Sequence, residues 1–595
     1  MKQPLNPTWE LDSIFEGGSG SPAFASFLDE IAEETAAFSG RLDQAEELPE
    51  ERRAEKIPAL LGSLQTILKK LREAESFAGC LAAENQSDRR AVQLGGRIKG
   101  LSAAYQSALT RFDRLLTGLP EEAFRRLLEQ PPASGVAFSL EERRALAKEK
   151  LPPEQESLVN DLAVDGYHGW GDLYDTTVSR MRIPYEDNGQ TVELSAGQMY
   201  NKLHTPDREK RKQLFRQWEA SWEEQADFCA DALNHLAGFR LALYRNRGWD
   251  SVLKEPLAIN RMSEKTLDAM WGAIARSKPV LVEYLQRKAK LLGTETLDWH
   301  DVEAPIGGSG REYSYDEGAA LIVEQFRRFS PKMADFAELA FEKRWIEAED
   351  RPGKRPGGFC TSFPVSGETR IFMTFGGTAS NVSTLAHELG HAYHQYVMDD
   401  LPALAQEYAM NVAETASTFA EMIVSDAAIR QAGEEEKLGL LEDKIQRTVA
   451  FFLNIHARLL FETRFYEERR KGLVGTERLN ELMVEAQKEA FSGALGEYHP
   501  HFWAAKLHFY ATDVPFYNFP YTFGYLFSAG LYAQAVKEGE GFEDRYIALL
   551  RDTASMTVEE LAKKHLGVDL EQPDFWDRAV GLCVEDIHQF LEMTK

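Results

Sequence analysis

The chain has 595 residues, 43% of them hydrophobic, and a formal net charge of −27. That length and apolar share suit a globular protein of two or more domains. The acidity argues against a nucleic-acid partner, because phosphate repels an acidic surface, and no apolar run is long enough to cross a membrane.

In chain order, residues 24–40, 50–78 and 86–118 carry apolar and charged positions at helical spacing, with Gly or Pro between them. Asn188-Gly189 lies between two strand-like runs and predicts a β-hairpin. A domain boundary falls near it, dividing a helical N-terminal domain (1–190) from a second domain (191–595). Long helices are expected over 207–246, 263–293 and 316–346. Residues 349–370, rich in Gly, Pro and basic side chains, read as a loop. Ile371–Phe375 reads as a strand running into Gly376-Gly377. The expected fold is mainly α with a small β-sheet. The opening Met1–Pro7 lacks the apolar stretch of a secretory signal. Four scattered cysteines, Cys80, Cys229, Cys360 and Cys583, form no disulfide framework and no C-x-x-C pair. A cytoplasmic location is the simplest expectation.

After the strand comes Leu385-Ala386-His387-Glu388-Leu389-Gly390-His391-Ala392-Tyr393-His394, which contains H-E-x-x-H. On a helix, residues four apart share a face, so His387 and His391 can reach one metal ion. Glu388 is placed to take a proton from a water on that metal. Val382, Leu385, Leu389, Ala392, Tyr393 and Tyr396 make an apolar stripe at helical spacing. The histidines lie opposite it and should face a cleft or solvent. His394 shares their face one turn on, but along a straight helix it stands about 10.5 Å from His387. That is too far for a shared tetrahedral ion. It is expected to support a ligand, touch substrate or lie on the surface.

A catalytic zinc takes three protein ligands and leaves one position open. A third histidine would need Gly at 394 and His at 397, where this chain has His394 and Val397. The alternative is a glutamate from a following helix. Glu407, Glu414 and Glu421 recur every seven residues over 407–421, and spacing alone admits any of them. Glu414 has the smallest and most apolar neighbours, Val412, Ala413, Ala416, Phe419 and Ala420. A charge there wants a partner, which makes Glu414 the chosen ligand and Glu421 a group that orients a ligand histidine.

Farther on, Tyr517, Tyr521 and Tyr525 are four apart and could line one helical face. Their hydroxyls could donate to a developing oxyanion; the competing reading is an ordinary tyrosine-rich core.

Three ordered blocks resemble the oligoendopeptidase F group of zinc metallopeptidases, relatives of thimet oligopeptidase. They are Arg355–Phe363 with Ile371–Gly377, the H-E-x-x-H helix with Glu414, and His508–Tyr510 with Pro515–Leu526. The opening Trp9–Phe15 also resembles the group's usual start. The resemblance implies one Zn2+ per chain held by His387, His391 and Glu414, with Glu388 as general base. It also implies transition-state donors from the C-terminal block, with Tyr525 the clearest match and His508, Tyr517 and Tyr521 in the same block. An exposed edge of the 371–375 strand could pair with an extended peptide. Phe375, Gly376 and Gly377 would then join Tyr517, Tyr521 and His394 as substrate contacts. The fold implied is an elongated helical body with a deep substrate channel, residues 191–595 forming the catalytic domain. The function implied is cleavage of internal bonds in short unstructured oligopeptides.

Competing readings are a carboxypeptidase or dipeptidyl carboxypeptidase on a related scaffold, or a non-catalytic peptide-binding protein. An aminopeptidase lacks support, since no G-x-M-E-N-like run is present to grip a free amine. Oligomeric state and side-chain preference are not legible in the sequence.

Overall fold

A computed structural model describes residues 4–187, 189–306, 311–355 and 357–595. Asn188 of the expected hairpin turn, Pro356 of the glycine-rich loop and the first three residues lie outside them. Helices dominate, as the sequence periodicity predicts. The elements used below are, in order, α1 (Pro22–Glu46), α2 (Ile57–Glu84), α3 (Arg89–Thr117), β1 (Ile183–Asp187), β2 (Gln190–Leu194), α4 (Arg208–Arg247), α5 (Tyr315–Phe329), α6 (Pro331–Glu342), β3 (Ile346–Glu347), β4 (Phe359–Phe363), β5 (Glu368–Phe372), α7 (Ala379–Tyr396), α8 (Met410–Gln431) and α9 (Phe519–Glu538). Among the described residues no helix is long and apolar enough to cross a membrane.

The expected helix over 316–346 is two. Pro331 supplies no N–H and forces the residue before it out of helical geometry. Ser330 is extended (φ −144°), and its hydroxyl caps α6 by accepting from the Met333 N–H. The expected loop over 349–370 contains β4 and the start of β5.

The chain forms two compact units, each assembled from three stretches. One comprises Met1–Lys150, Arg311–Ala427 and Gln534–Gly567; the other comprises Leu151–Gly310, Ala428–Ala533 and Val568–Lys595. The boundary expected near 190 falls inside the second unit; a return of the chain to an earlier core leaves no local mark in sequence. The hairpin predicted there forms, with Ile183 opposite Leu194, inside the second unit.

In the first unit, α1, α2 and α3 share one apolar core with the sheet. Phe24, Leu28, Leu64, Phe77 and Phe112 are buried in it together with Phe363 and Phe372. Burying each such side chain contributes about 1.5–3 kcal/mol. The opening Trp9–Phe15 is tied to the same sheet. Trp9 lies 5.6 Å from Phe372 between ring centres, and Arg370 donates to the Glu10 carbonyl. The sheet order is β3-β5-β4, with β3 parallel and β4 antiparallel to β5. The strand expected to offer an edge is therefore central, and β3 and β4 are the edges. α7 packs on β4 and β5.

In the second unit α4 runs for 40 residues and buries Trp218 and Trp222. Its interior holds an ion pair of Lys288 with Glu442 at 2.5 Å, further satisfied by the Tyr284 hydroxyl at 2.9 Å.

Candidate active site

Thr378 starts α7 with a capping box that it shares with Asn381. This fixes where the helix begins, and so fixes the phase of His387 and His391. A long turn later the chain enters α8, which lies against α7 with almost no gap. A Cβ on Gly390 would stand 2.5 Å from the Ala416 carbonyl oxygen and 2.6 Å from Ser417 Cα. Gly390 thus permits a backbone approach that no other residue does, and the approach brings Glu414 beside both histidines.

Glu414 Oε2 is 3.3 Å from His387 Nε2 and 3.5 Å from His391 Nε2. Donors bound to zinc in a tetrahedron at about 2.0–2.1 Å stand about 3.4 Å apart. The three side chains therefore match the spacing of a tetrahedral site. His387 is oriented through its other nitrogen: Nδ1 is 3.2 Å from Glu421 Oε2. With its proton directed at Glu421, His387 keeps Nε2 as the lone-pair nitrogen. Ser417 donates to Glu414 Oε2 at 2.8 Å. Glu407 takes no part: it precedes α8 and pairs with Arg72 at 2.8 Å.

The electrostatics suit a cation. Burial works to raise Glu414, but hydrogen bonding and charge from His387 and His391 outweigh it and hold the carboxyl at about 2. Burial pushes His391 down to about 4, keeping it neutral and able to ligate. Glu388 is different. It is 7% exposed, its Oε2 has no hydrogen-bond partner among the described residues, and burial pushes it up to about 7. Gly358, just before β4, leaves it room: a Cβ there would lie 3.4 Å from Glu388 Oε1 and 3.2 Å from the Phe372 carbonyl.

The second unit gathers part of the aromatic block. The His508 ring lies 5.2 Å from Tyr517 and 6.2 Å from Tyr521, and the two tyrosine rings are 5.8 Å apart. Tyr517 precedes α9, so the three tyrosines do not share one helical face. Phe516 beside it is buried with φ +53°, a strained conformation for a bulky residue that surrounding packing must enforce. Burial lowers His508 to about 4, so its imidazole is neutral. Tyr525 lies apart: its hydroxyl is buried, 2.9 Å from Thr448 Oγ1 and 3.7 Å from Cys583 Sγ.

Residues 202–582 match the description of peptidase family M3, and residues 116–183 match that of oligopeptidase F. The chain belongs to peptidase family M3. It is thus a metallopeptidase, as the resemblance implies. This M3 peptidase is 26% identical over 423 residues to an oligoendopeptidase F homolog of Lactococcus lactis, covering 69% of this chain and 68% of that one. It is 22% identical to oligopeptidase PepF of Bacillus subtilis, covering 98% and 87%. Its fold matches that of oligoendopeptidase-F from Enterococcus faecium with a TM-score of 0.71, at 18% identity, over 95% of this chain and 99% of that one.

His394 is fully buried, stacked on Tyr408 at 4.2 Å, with Nε2 2.9 Å from Thr553 Oγ1 and 3.2 Å from the Leu550 carbonyl. It is neither a substrate contact nor a surface residue, because α7 is covered on almost every side rather than along one stripe. Tyr396 of the expected stripe is 44% exposed, at the helix end. Phe375 packs on Tyr315, and its N–H donates to the Ala348 carbonyl. The Gly376 N–H is taken by Asn381, and the Gly377 carbonyl accepts from Tyr313. These three residues line a cavity of about 600 Å³ with Glu312 and Asp350. A second His/carboxylate group, Asp298, His300 and Glu497, exists in the other unit. There Arg208 donates to Asp298 at 3.1 Å, and that positive charge opposes a cation.

Proposed function

We propose that this M3 peptidase is a zinc-dependent endopeptidase that cuts internal bonds of short, unstructured oligopeptides. His387, His391 and Glu414 would hold the ion, and Glu421 would keep His387 in the ligating tautomer. The bound zinc would supply Lewis acidity, which polarises a carbonyl and acidifies water. Glu388 takes the proton of the attacking water and passes it to the departing amine. Its affinity for a proton near neutrality suits both halves of that task. We assign the oxyanion donors of the aromatic block to His508, Tyr517 and Tyr521 rather than Tyr525, whose hydroxyl is already engaged.

The observation that carries this reading is the buried Glu388 carboxylate, whose Oε2 has no hydrogen-bond partner among the described residues, next in sequence to one of three converging ligands. A structural role would have supplied it a donor, since leaving such an oxygen unsatisfied costs about 1–3 kcal/mol. A mixed-length peptide library, blocked and unblocked at its ends, tests the proposal. Digestion is followed by mass spectrometry with and without a chelator. Internal cleavage of doubly blocked peptides, lost on chelation and restored by zinc, is the expected result. Cleavage confined to free C-termini would replace it with a carboxypeptidase. Bound zinc with no cleavage would leave a binding protein.

A further inference from the structure

The second unit holds a cavity of about 480 Å³ that contains none of the candidate metal ligands and has His508 in its wall. Its size falls in the range of small-molecule sites, about 300–1,000 Å³. The wall is aromatic: Tyr200, Phe215, Trp218, Trp222, Trp299 and Phe502 all face it. A lysine ammonium lines it. The Lys506 ammonium sits 5.0 Å from the Tyr200 ring centre and 5.2 Å from that of Phe502. Among the described residues it has no hydrogen bond and no ion pair. Of the wall's acids, Glu303 attracts it by charge from beyond ion-pair distance. Glu303 is instead held by His204 and by the Tyr200 hydroxyl, each at 3.3 Å. Burial brings Lys506 down to about 8, so it still carries its charge at neutral pH.

An ammonium that is desolvated, repelled by Arg458 and attracted only at a distance by Glu303 would gain from a second anion. Other wall residues also have unspent polar atoms. Trp222 Nε1, both ring nitrogens of His300 and His508 Nδ1 are buried without hydrogen-bond partners among the described residues. Buried unsatisfied groups are few in native proteins, and a cluster of them around one cavity calls for a ligand that satisfies them. Two tests of the ligand follow from the wall. It must present a large apolar surface to the rings, and an anionic acceptor to Lys506. A phosphate would meet only the second. An uncharged aromatic would meet only the first.

We propose that this cavity binds the carboxyl-terminal residue of a short peptide, or the corresponding free amino acid. Lys506 anchors the carboxylate, and the aromatic wall takes a large apolar side chain. The identification of the ligand as a peptide end rests on the oligopeptidase reading, whereas the binding chemistry does not.

The probes are N-acetyl-L-phenylalanine and its C-terminal amide, titrated by calorimetry into the full chain. They differ only in the charge that Lys506 would read. A charge-assisted hydrogen bond predicts that the acid binds at least about tenfold more tightly than the amide. Lys506→Met should abolish that preference while leaving amide affinity unchanged, and Lys506→Arg should restore most of it. Should Lys506→Met not fold, Lys506→Gln supplies the same comparison. Equal binding of acid and amide, a preference that survives in K506M, or no binding of either probe at millimolar concentration each overturns the proposal. The measurement needs neither metal nor turnover. A chain that prefers the acid yet cuts no peptide keeps this inference and sinks the peptidase reading. A chain that cuts peptides but ignores the carboxylate does the reverse.

Discussion

His387 and His391 are four residues apart, and so are Tyr517, Tyr521 and Tyr525, yet the two spacings end differently. The histidines keep the relation that an i, i+4 pair on one helix implies: their rings are 4.9 Å apart and both Nε2 atoms meet Glu414. The tyrosines do not. Tyr517 lies before α9, and Tyr525 turns its hydroxyl to Thr448 and Cys583. A periodicity becomes a site only where one regular element spans it and the side chains find no other partner. Backbone geometry secures the first condition for the histidines. Neighbours from elsewhere in the chain deny the second to Tyr525.

The largest test of that contrast is Glu388→Gln, which keeps shape and removes the base. Peptide cleavage should drop by about 10²–10⁴, while zinc measured by atomic absorption stays at the wild-type level. Retained turnover would remove Glu388 as the base and leave the α7 reading a metal site without chemistry. Next is Gly390→Ala, which attacks the close approach of α7 and α8. Overpacking against the Ala416 and Ser417 backbone should cost about 3 kcal/mol, seen as a lower unfolding midpoint together with weaker zinc retention. An unchanged midpoint would mean that the two helices can separate without harm. Glu421→Gln should weaken zinc affinity by about 10–100-fold, the usual cost of losing a group that orients a ligand; competition with a chromogenic chelator reads it directly. The smallest effect is expected at Tyr525. Tyr525→Phe should alter kcat by less than about threefold and cost about 1 kcal/mol of stability for its hydrogen bond. Tyr517→Phe should lower kcat about tenfold or more if it supplies an oxyanion donor. The reverse ranking of the two tyrosines would return the role to Tyr525.

The elements that were easy to read in sequence are those whose cause is local. The starts of α1, α3 and α4 fall within a few residues of expectation because Ser21, Asp88 and Asp207 cap them through their own side chains. The break at Ser330-Pro331 was also local, yet the apolar periodicity on either side of it masks the boundary. β4 is harder: Phe359–Phe363 is a strand because β5 and the core beneath it supply its partners, in a stretch whose composition favours a loop. His394 illustrates the same limit on a helix. Its polarity and its phase with His391 both suggest solvent, and only the Leu550–Thr553 segment, more than 150 residues away in sequence, explains why it is buried and neutral.

The sequence by itself determined the mainly helical fold, the pair His387 and His391 with Glu388 between them, and the exclusion of a third histidine at 397. All of these follow from spacing within one helix. Tertiary structure decided which carboxylate meets the histidines, because Glu407, Glu414 and Glu421 share a seven-residue spacing but only Glu414 is carried to both Nε2 atoms by the contact at Gly390. It also decided that Tyr525 has a partner and that Lys506 sits over Tyr200 and Phe502 without a hydrogen bond among the described residues. A hydrogen bond or an ion pair depends on where another part of the chain comes to rest, and no local pattern records that.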